Sequence, residues 1–296
     1  MIIIDNSYKK LDDKLRGRKP KVKLEKDGIK YIFKWGAINY EIWSELISEQ
    51  IGKQLGIDMA HYELATCCGT YGVLTPSFLK DDEIIISSDN LKASASLILG
   101  ENGLVNNSLQ ENTFANLIKS IQLFKSQNKD FMDIDDKIIN RCFFYMLIME
   151  SDKNATNISF IKGKDGIRLA PDYDNASMVR LNENINDFIE DMKKCGRDVR
   201  DYTDNIKGSF YLADGCEGVF INDFTIFCNQ FPKYTKRNLE LFSELDLDKA
   251  FDEVERINEV EIPWEVKFWV RKVINTRIDD MNSIYKELHS KNATKK

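Results

Sequence analysis

The hydrophobic period changes once along this chain, and that change bounds the fold. In Ile29-Lys-Tyr-Ile-Phe-Lys-Trp35, Ile29, Tyr31 and Phe33 alternate with Lys30, Ile32 and Lys34, the period of a strand with one lysine-bearing face. Further strand-like segments stand at 62–67, 71–74 and 83–87. One amphipathic helix interrupts them, over 41–56, with Trp43, Leu46, Ile47, Ile51 and Leu55 on one face and Gly56 as its stop. From about residue 112 the period is helical, with candidates at 112–127, 134–149, 220–230, 234–243, 247–257 and 263–288. Strands gathered first and helices afterwards predict an α+β chain, and 296 residues suffice for two lobes.

Composition narrows the chemistry. Lys plus Arg number 42 against 48 Asp plus Glu, a net charge of −6, which argues against mainly electrostatic binding to nucleic acid. The N-terminal run Met1-Ile-Ile-Ile-Asp5 has no basic segment before it and no small-residue cleavage site, and no stretch approaches the apolar length of a membrane span. Six cysteines, scattered except for Cys67 and Cys68, form neither a disulfide framework nor a CxxC pattern, so a reduced, cytoplasmic protein is expected. With histidines only at 61 and 289, a Ser-His-Asp hydrolase or a His-rich metal site is hard to assemble. Catalysis would fall to carboxylates, lysines and amides.

An irregular polar stretch, 151–218, holds the richest set of these. It contains Asp152-Lys-Asn-Ala-Thr-Asn157, a hairpin around Lys162-Gly-Lys-Asp-Gly166, and Leu169-Ala-Pro-Asp-Tyr-Asp174. The hairpin would fold the second acidic segment back on the first. A carboxylate that takes a hydroxyl proton must sit beside a metal held by an amide oxygen and a second carboxylate, and Asp152, Asn157 and Asp174 fit those places. Segments rich in Asp and Asn also make ordinary turns. Lys34, between Phe33 and Trp35, is an odd site for a cation unless it serves something, and Glu45 on the following helix could hold it toward phosphates. A solvated edge lysine and a solvated helix charge are the plainer accounts. The segment 14–26 has seven basic residues, one acid and Gly17. It could cover phosphates, but most such runs are merely solvated, and this one lacks the aromatics that would stack bases.

Taken in order, these segments resemble the HipA-like serine/threonine kinases of bacterial toxin–antitoxin modules, which share the two-lobed protein-kinase-like fold. Arg16-Gly-Arg-Lys-Pro-Lys21 is similar to the family's phosphate-covering loop, and Ile32-Phe-Lys-Trp35 to its nucleotide-lysine strand. The helix beginning Ser44-Glu-Leu resembles the one whose early glutamate pairs with that lysine, which favours Glu45 over Glu49. Gly72-Val-Leu-Thr-Pro-Ser-Phe-Leu79 resembles the strand running into the inter-lobe hinge, Asp152 to Asn157 the catalytic loop D-x-x-x-x-N, and Leu169 to Asp174 the metal-binding loop L-x-P-x-Y-D. One departure stands out, since Lys153-Asn154 occupies the place of the family's usual Arg- or Gly-His pair. The chain resembles the short members, without the family's extra N-terminal subdomain.

The resemblance implies an N-lobe over 1–80 and a helical C-lobe over 81–289, and the polar tail 290–296 reads as disordered. It implies an ATP- and Mg²⁺-dependent Ser/Thr protein kinase that phosphorylates itself, with Asp152 acting on the acceptor hydroxyl and Asn157 and Asp174 on Mg²⁺. Lys34 and Glu45, with Gly17, Lys19, Lys21 and Phe78, would bind the nucleotide. Asp172 could be a further metal-side carboxylate or a turn residue, and the turn is favoured; Ser7 is read as the self-phosphorylated hydroxyl, and 175–201 as a substrate-facing loop. Implied partners are a protein substrate and an antitoxin protein, with no membrane and no direct nucleic acid. A nucleotide-binding pseudokinase or interaction module, and a kinase-like AMP transferase, stay open as alternatives.

Overall fold

The computed structural model describes residues 1–11, 19–35, 39–91, 114–127, 134–153, 157–204, 206 and 220–293. Strands β1 (Ile2–Ile4), β2 (Lys9–Leu11), β3 (Lys21–Lys26) and β4 (Ile29–Trp35) come first, then helix α1 (Asn39–Gln54), then β5 (Glu63–Cys67) and β6 (Thr70–Pro76). They form one sheet in the order β1-β5-β6-β4-β3-β2. The β1–β5 pair is parallel and the others antiparallel. The sheet curls round a small core of Ile4, Leu24, Phe33, Ala65 and Leu74. Its hairpins turn at Asp27–Gly28 (φ 53° and 76°) and Cys68–Gly69 (φ 51° and 80°), pairs of left-handed residues that match the right-handed strand twist.

The basic segment is therefore not all loop. Val22 and Leu24 alternate with Lys21, Lys23 and Glu25, and the period puts Leu24 into the small core. The density of charge conceals the alternation in the sequence.

The second half is helical around a larger core. Strand β7 (Ile84–Ser87) pairs with β8 (Ser159–Gly163), and β8 with β9 (Gly166–Leu169), to make a three-stranded sheet. The helices are α2 (Phe114–Gln127), α3 (Asp135–Ile148), α4 (Ile185–Cys195), α5 (Arg200–Thr203), α6 (Phe220–Gln230), α7 (Pro232–Ser243), α8 (Leu247–Asn258) and α9 (Trp264–Ala293), with a 3₁₀ turn at Met178–Arg180. Helix α3 is the axis. Ile138, Ile139 and every residue from Arg141 to Ile148 are buried, as expected of a helix enclosed on all sides. It stops at Met149, which is left-handed (φ 52°) and gives its N–H to the Tyr145 carbonyl. The chain then enters the polar stretch.

One expectation fails here. The segment 175–201 is not one loop: α4 occupies Ile185–Cys195, because Ile185 and Ile189, one turn apart, bury against the core among acidic neighbours. Helix α9 continues to Ala293, and Ser290 donates to the Glu287 carbonyl; of the segment 290–296, residues 294–296 lie outside the described residues. Among the described residues no helix is long and apolar enough to cross a membrane.

Candidate active site

Lys34 lies near the end of β4, and α1 follows at once, so the lysine faces the first turns of that helix. Its Nζ stands 2.8 Å from Glu45 Oε1 and in direct contact with Asp174 Oδ1. Glu45 is almost wholly buried, and its second oxygen accepts the Asn175 N–H at 2.9 Å. One carboxylate thus ties the strand lysine to the loop that carries Asp174. Burial alone would lower the Lys34 pKa, but Glu45 and Asp174 hold it well above the ordinary value. Asp174 shows the converse: burial would raise its carboxyl, and Lys34 outweighs this and holds it below the usual range. Glu49, the alternative partner, lies elsewhere. It is buried against His61 Nδ1 (2.8 Å), the Tyr62 N–H (2.8 Å) and Lys53 (2.5 Å).

Strand β3 brings Lys21 opposite Lys34. Its pKa is lowered by burial first and then, against Asp174 and Glu45, by the charges of Lys34 and Lys19. Lys19 pairs with Glu41 at 2.8 Å. Gly17 lies outside the described residues. Beside Lys34 opens a cleft between sheet, α1 and loop, lined by Trp35, Glu41, Glu45, Val73 and Ala176 among others.

Nearly every residue of the loop Asp172–Ser177 is fixed. The Asp172 N–H donates to Asp58 O and the Ala60 N–H to Asp172 O, at 2.7 and 2.8 Å. The Asp172 carboxylate, 1% exposed, accepts from the Tyr145 hydroxyl and from Asn175 Nδ2 (2.8 Å), with Lys153 Nζ at 3.5 Å and Arg141 Nη1 at 3.9 Å. Asp172 is therefore not a solvated turn residue; four polar side chains converge on it because its acid is enclosed beneath α3. Tyr173 gives its carbonyl to Lys153 (2.6 Å), and its hydroxyl lies 2.8 Å from Ser159 Oγ. Asp174 is left-handed (φ 63°) and its N–H donates to the Tyr62 hydroxyl at 3.2 Å.

The loop after α3 meets this one. Glu150, fully buried, accepts from the Asp152 N–H (2.9 Å), the Ser177 hydroxyl and the Ser177 N–H (3.2 Å). Burial raises its pKa to about 7, against the opposing pull of Lys153 and those hydrogen bonds. The Asp152 side chain is exposed. Asn157 closes the loop by donating Nδ2 to the Asp152 carbonyl at 3.1 Å. Residues 154–156 lie outside the described residues, Asn154 among them. Phe78, just beyond β6, packs its ring 5.7 Å from that of Tyr173 and gives its carbonyl to Arg168.

Among the described residues no three His, Cys, Asp or Glu converge as a metal cage. An acid and an amide supply the kind of hard oxygen donors that suit Mg²⁺, which usually completes its shell with phosphate and water. Asp174 and Asn157 carry donors of this kind, and in chemistry they could serve a nucleotide-borne Mg²⁺.

Arg141, Tyr145 and Glu150 escaped the sequence reading, and Lys153 stood out there only as a departure in the catalytic loop. Arg141 had a signal, a cation directly before the apolar run from Cys142 to Ile148, and it serves the Ala170 carbonyl at 2.6 Å. The other three depend on what folds over them.

A family model for HipA-like C-terminal domains matches residues 14–245. No curated protein matches the chain. Among solved structures, CtkA, a proinflammatory kinase of Helicobacter pylori, superposes with a TM-score of 0.72 at 14% identity, covering 97% of this chain and 98% of that one. HipA of Shewanella oneidensis MR-1, in complex with HipB and operator DNA, gives a TM-score of 0.53 at 13% identity over 92% of this chain and 67% of that one. At such identities these two show the fold, a curled-sheet N-lobe on a helical C-lobe, and the family match extends over most of the residues that build the site. The chain belongs to the family of HipA-like C-terminal domains.

Proposed function

We propose that this protein is an ATP- and Mg²⁺-dependent serine/threonine protein kinase. The observation that carries the reading is the three-way contact of Lys34, Glu45 and Asp174. In phosphoryl transfer a lysine that steadies the phosphates, its helix glutamate and a metal-side carboxylate lie close together, and Lys34, Glu45 and Asp174 suit those three roles. The cleft beside Lys34 receives the triphosphate, steadied by Lys34 with Lys19, Lys21 and the segment of Gly17. Backbone groups near Phe78 meet the adenine, which puts the lobe boundary near residue 80.

Asp152 takes the proton from the acceptor hydroxyl as that oxygen bonds to the γ-phosphorus and the bond to the ADP oxygen breaks. Its exposed side chain can reach a protein substrate, while Glu150 and Asn157 fix its backbone. Mg²⁺, held by Asp174 and Asn157, would neutralise charge on the phosphates. Catalysis is then positioning plus electrostatics. The acceptor is a hydroxyl of a protein substrate or of a second copy. Lys21 marks the active end of β3, and Lys9 pairs with Glu25 four residues away, so Ser7 is about 13 Å or more from it along the strand and transfer to Ser7 runs between molecules. An antitoxin protein is the partner that fits the family, as HipB is HipA's in the Shewanella complex.

The test is intact mass after incubation with Mg²⁺ and ATP. Wild type gains phosphate, and Asp152→Asn slows the gain by about 10²–10⁴-fold while binding nucleotide normally. Gain of an adenylate would move the reading to AMP transfer. Nucleotide binding by wild type with no transfer to itself or to an added protein would leave a binding module.

A further inference from the structure

We propose that Lys153 is a positioning residue for the metal-side loop, the side chain that sets the separation between Asp152 and Asp174 and so the affinity for the metal-bound nucleotide. This rests on the kinase reading of the site.

Lys153 is 1% exposed, a rare state for a lysine. Its backbone is bonded directly to Asp152, and its Nζ donates to the carbonyl of Tyr173, the residue bonded to Asp174, at 2.6 Å. A single ordered side chain therefore joins the two loops one residue from each acid. The ammonium also stands 3.5 Å from Asp172 Oδ1 and 4.9 Å from the centre of the Tyr145 ring. Tyr145 in turn donates its hydroxyl to the same Asp172 oxygen. Helix α3, the catalytic loop and the metal-side loop thus meet on one buried cation.

The charges give the cation a second effect. Glu45, Glu150, Asp172 and Asp174 crowd together, facing Lys34, Arg141 and Lys153. Without Lys153 the carboxylates would repel, and the metal-side loop would lose the contact that fixes the Asp174 backbone. Groups that orient metal ligands from behind commonly alter metal affinity 10- to 100-fold.

The experiment is calorimetric binding of a non-hydrolysable ATP analogue with and without Mg²⁺, for wild type, Lys153→Met, Lys153→Arg and Tyr145→Phe. For Lys153→Met the Mg²⁺-dependent gain in affinity falls about tenfold, while affinity without Mg²⁺ stays within about twofold of wild type. Lys153→Arg, which keeps the cation, recovers part of the gain. A purely structural role would weaken both affinities together or neither. An undiminished Mg²⁺-dependent gain in Lys153→Met overturns the assignment. Should that variant not fold, Tyr145→Phe decides: it loses one hydrogen bond to Asp172, and its gain falls about threefold or the assignment fails. If wild type itself shows no Mg²⁺-dependent gain, the kinase reading falls first and this inference with it.

Discussion

Lys34 and Asp174 stand 140 residues apart in the chain and in ion-pair contact in the fold. The contact joins a strand of the N-lobe to a loop of the C-lobe, and Glu45 braces it from α1. Its effect on Asp174 has a definite sign. The carboxyl is held below its usual range, so its share of stability is full at neutral pH and is lost as pH falls through the carboxylate range.

Lys34→Met should remove nucleotide binding and also lower stability. Glu45 would be left buried without its cation, and breaking a buried pair on one side costs about 3 kcal/mol or more. Urea denaturation measures it. Adding Glu45→Gln to Lys34→Met should return part of the stability and none of the binding, whereas a single variant as stable as wild type would show that Glu45 is not held by this pair.

Glu150 gives the molecule a second pH dependence, of opposite direction. Its carboxyl is raised from 4.5 to about 7 by burial. Below its unfolded value both states are protonated and burial costs nothing through this group. As pH rises from about 4.5 to about 7 the unfolded chain ionises while the folded form keeps its proton, and stability falls by about 3 kcal/mol. Comparing wild type with Glu150→Gln over that window isolates the group, because only wild type carries the slope. Parallel stability curves would place the Glu150 titration outside that window.

Much of this arrangement is legible in the sequence because local pattern and chemistry agree. The alternation around Lys34, the apolar face of α1 and the hairpin between the two acidic segments each follow from short-range rules. Lys34 and Glu45 are close in sequence, so their pairing is visible as well. Asp172 is different. Its triplet Pro171-Asp-Tyr173 reads as a turn, and only the helix passing over it, with Tyr145 and Arg141 aimed inward, turns that aspartate into the hub of a buried network. Lys153 is hidden for the same reason. A lysine beside an aspartate looks solvated until a second loop closes on it. β3 and α4 escape for a simpler reason, that dense charge masks a short apolar period.

Gly72 tests how tightly the sheet positions Lys34. It faces Trp35 across the β4–β6 pair, and a Cβ there would lie 2.3 Å from the Lys34 carbonyl and 2.8 Å from the Phe33 ring. Backbone cannot yield as a flexible side chain can. Gly72→Ala should therefore cost about 1–3 kcal/mol and weaken nucleotide binding, since β4 must shift at the lysine itself. Gly28→Ala supplies the contrast. Gly28 is left-handed (φ 76°) with no atom within 4 Å of an added Cβ, so the substitution costs about 1–2 kcal/mol of backbone strain at the far end of the β3–β4 hairpin. Its nucleotide affinity should stay at the wild-type value. Equal losses of affinity in the two variants would mean that general loosening of the sheet, and not displacement of Lys34, governs binding.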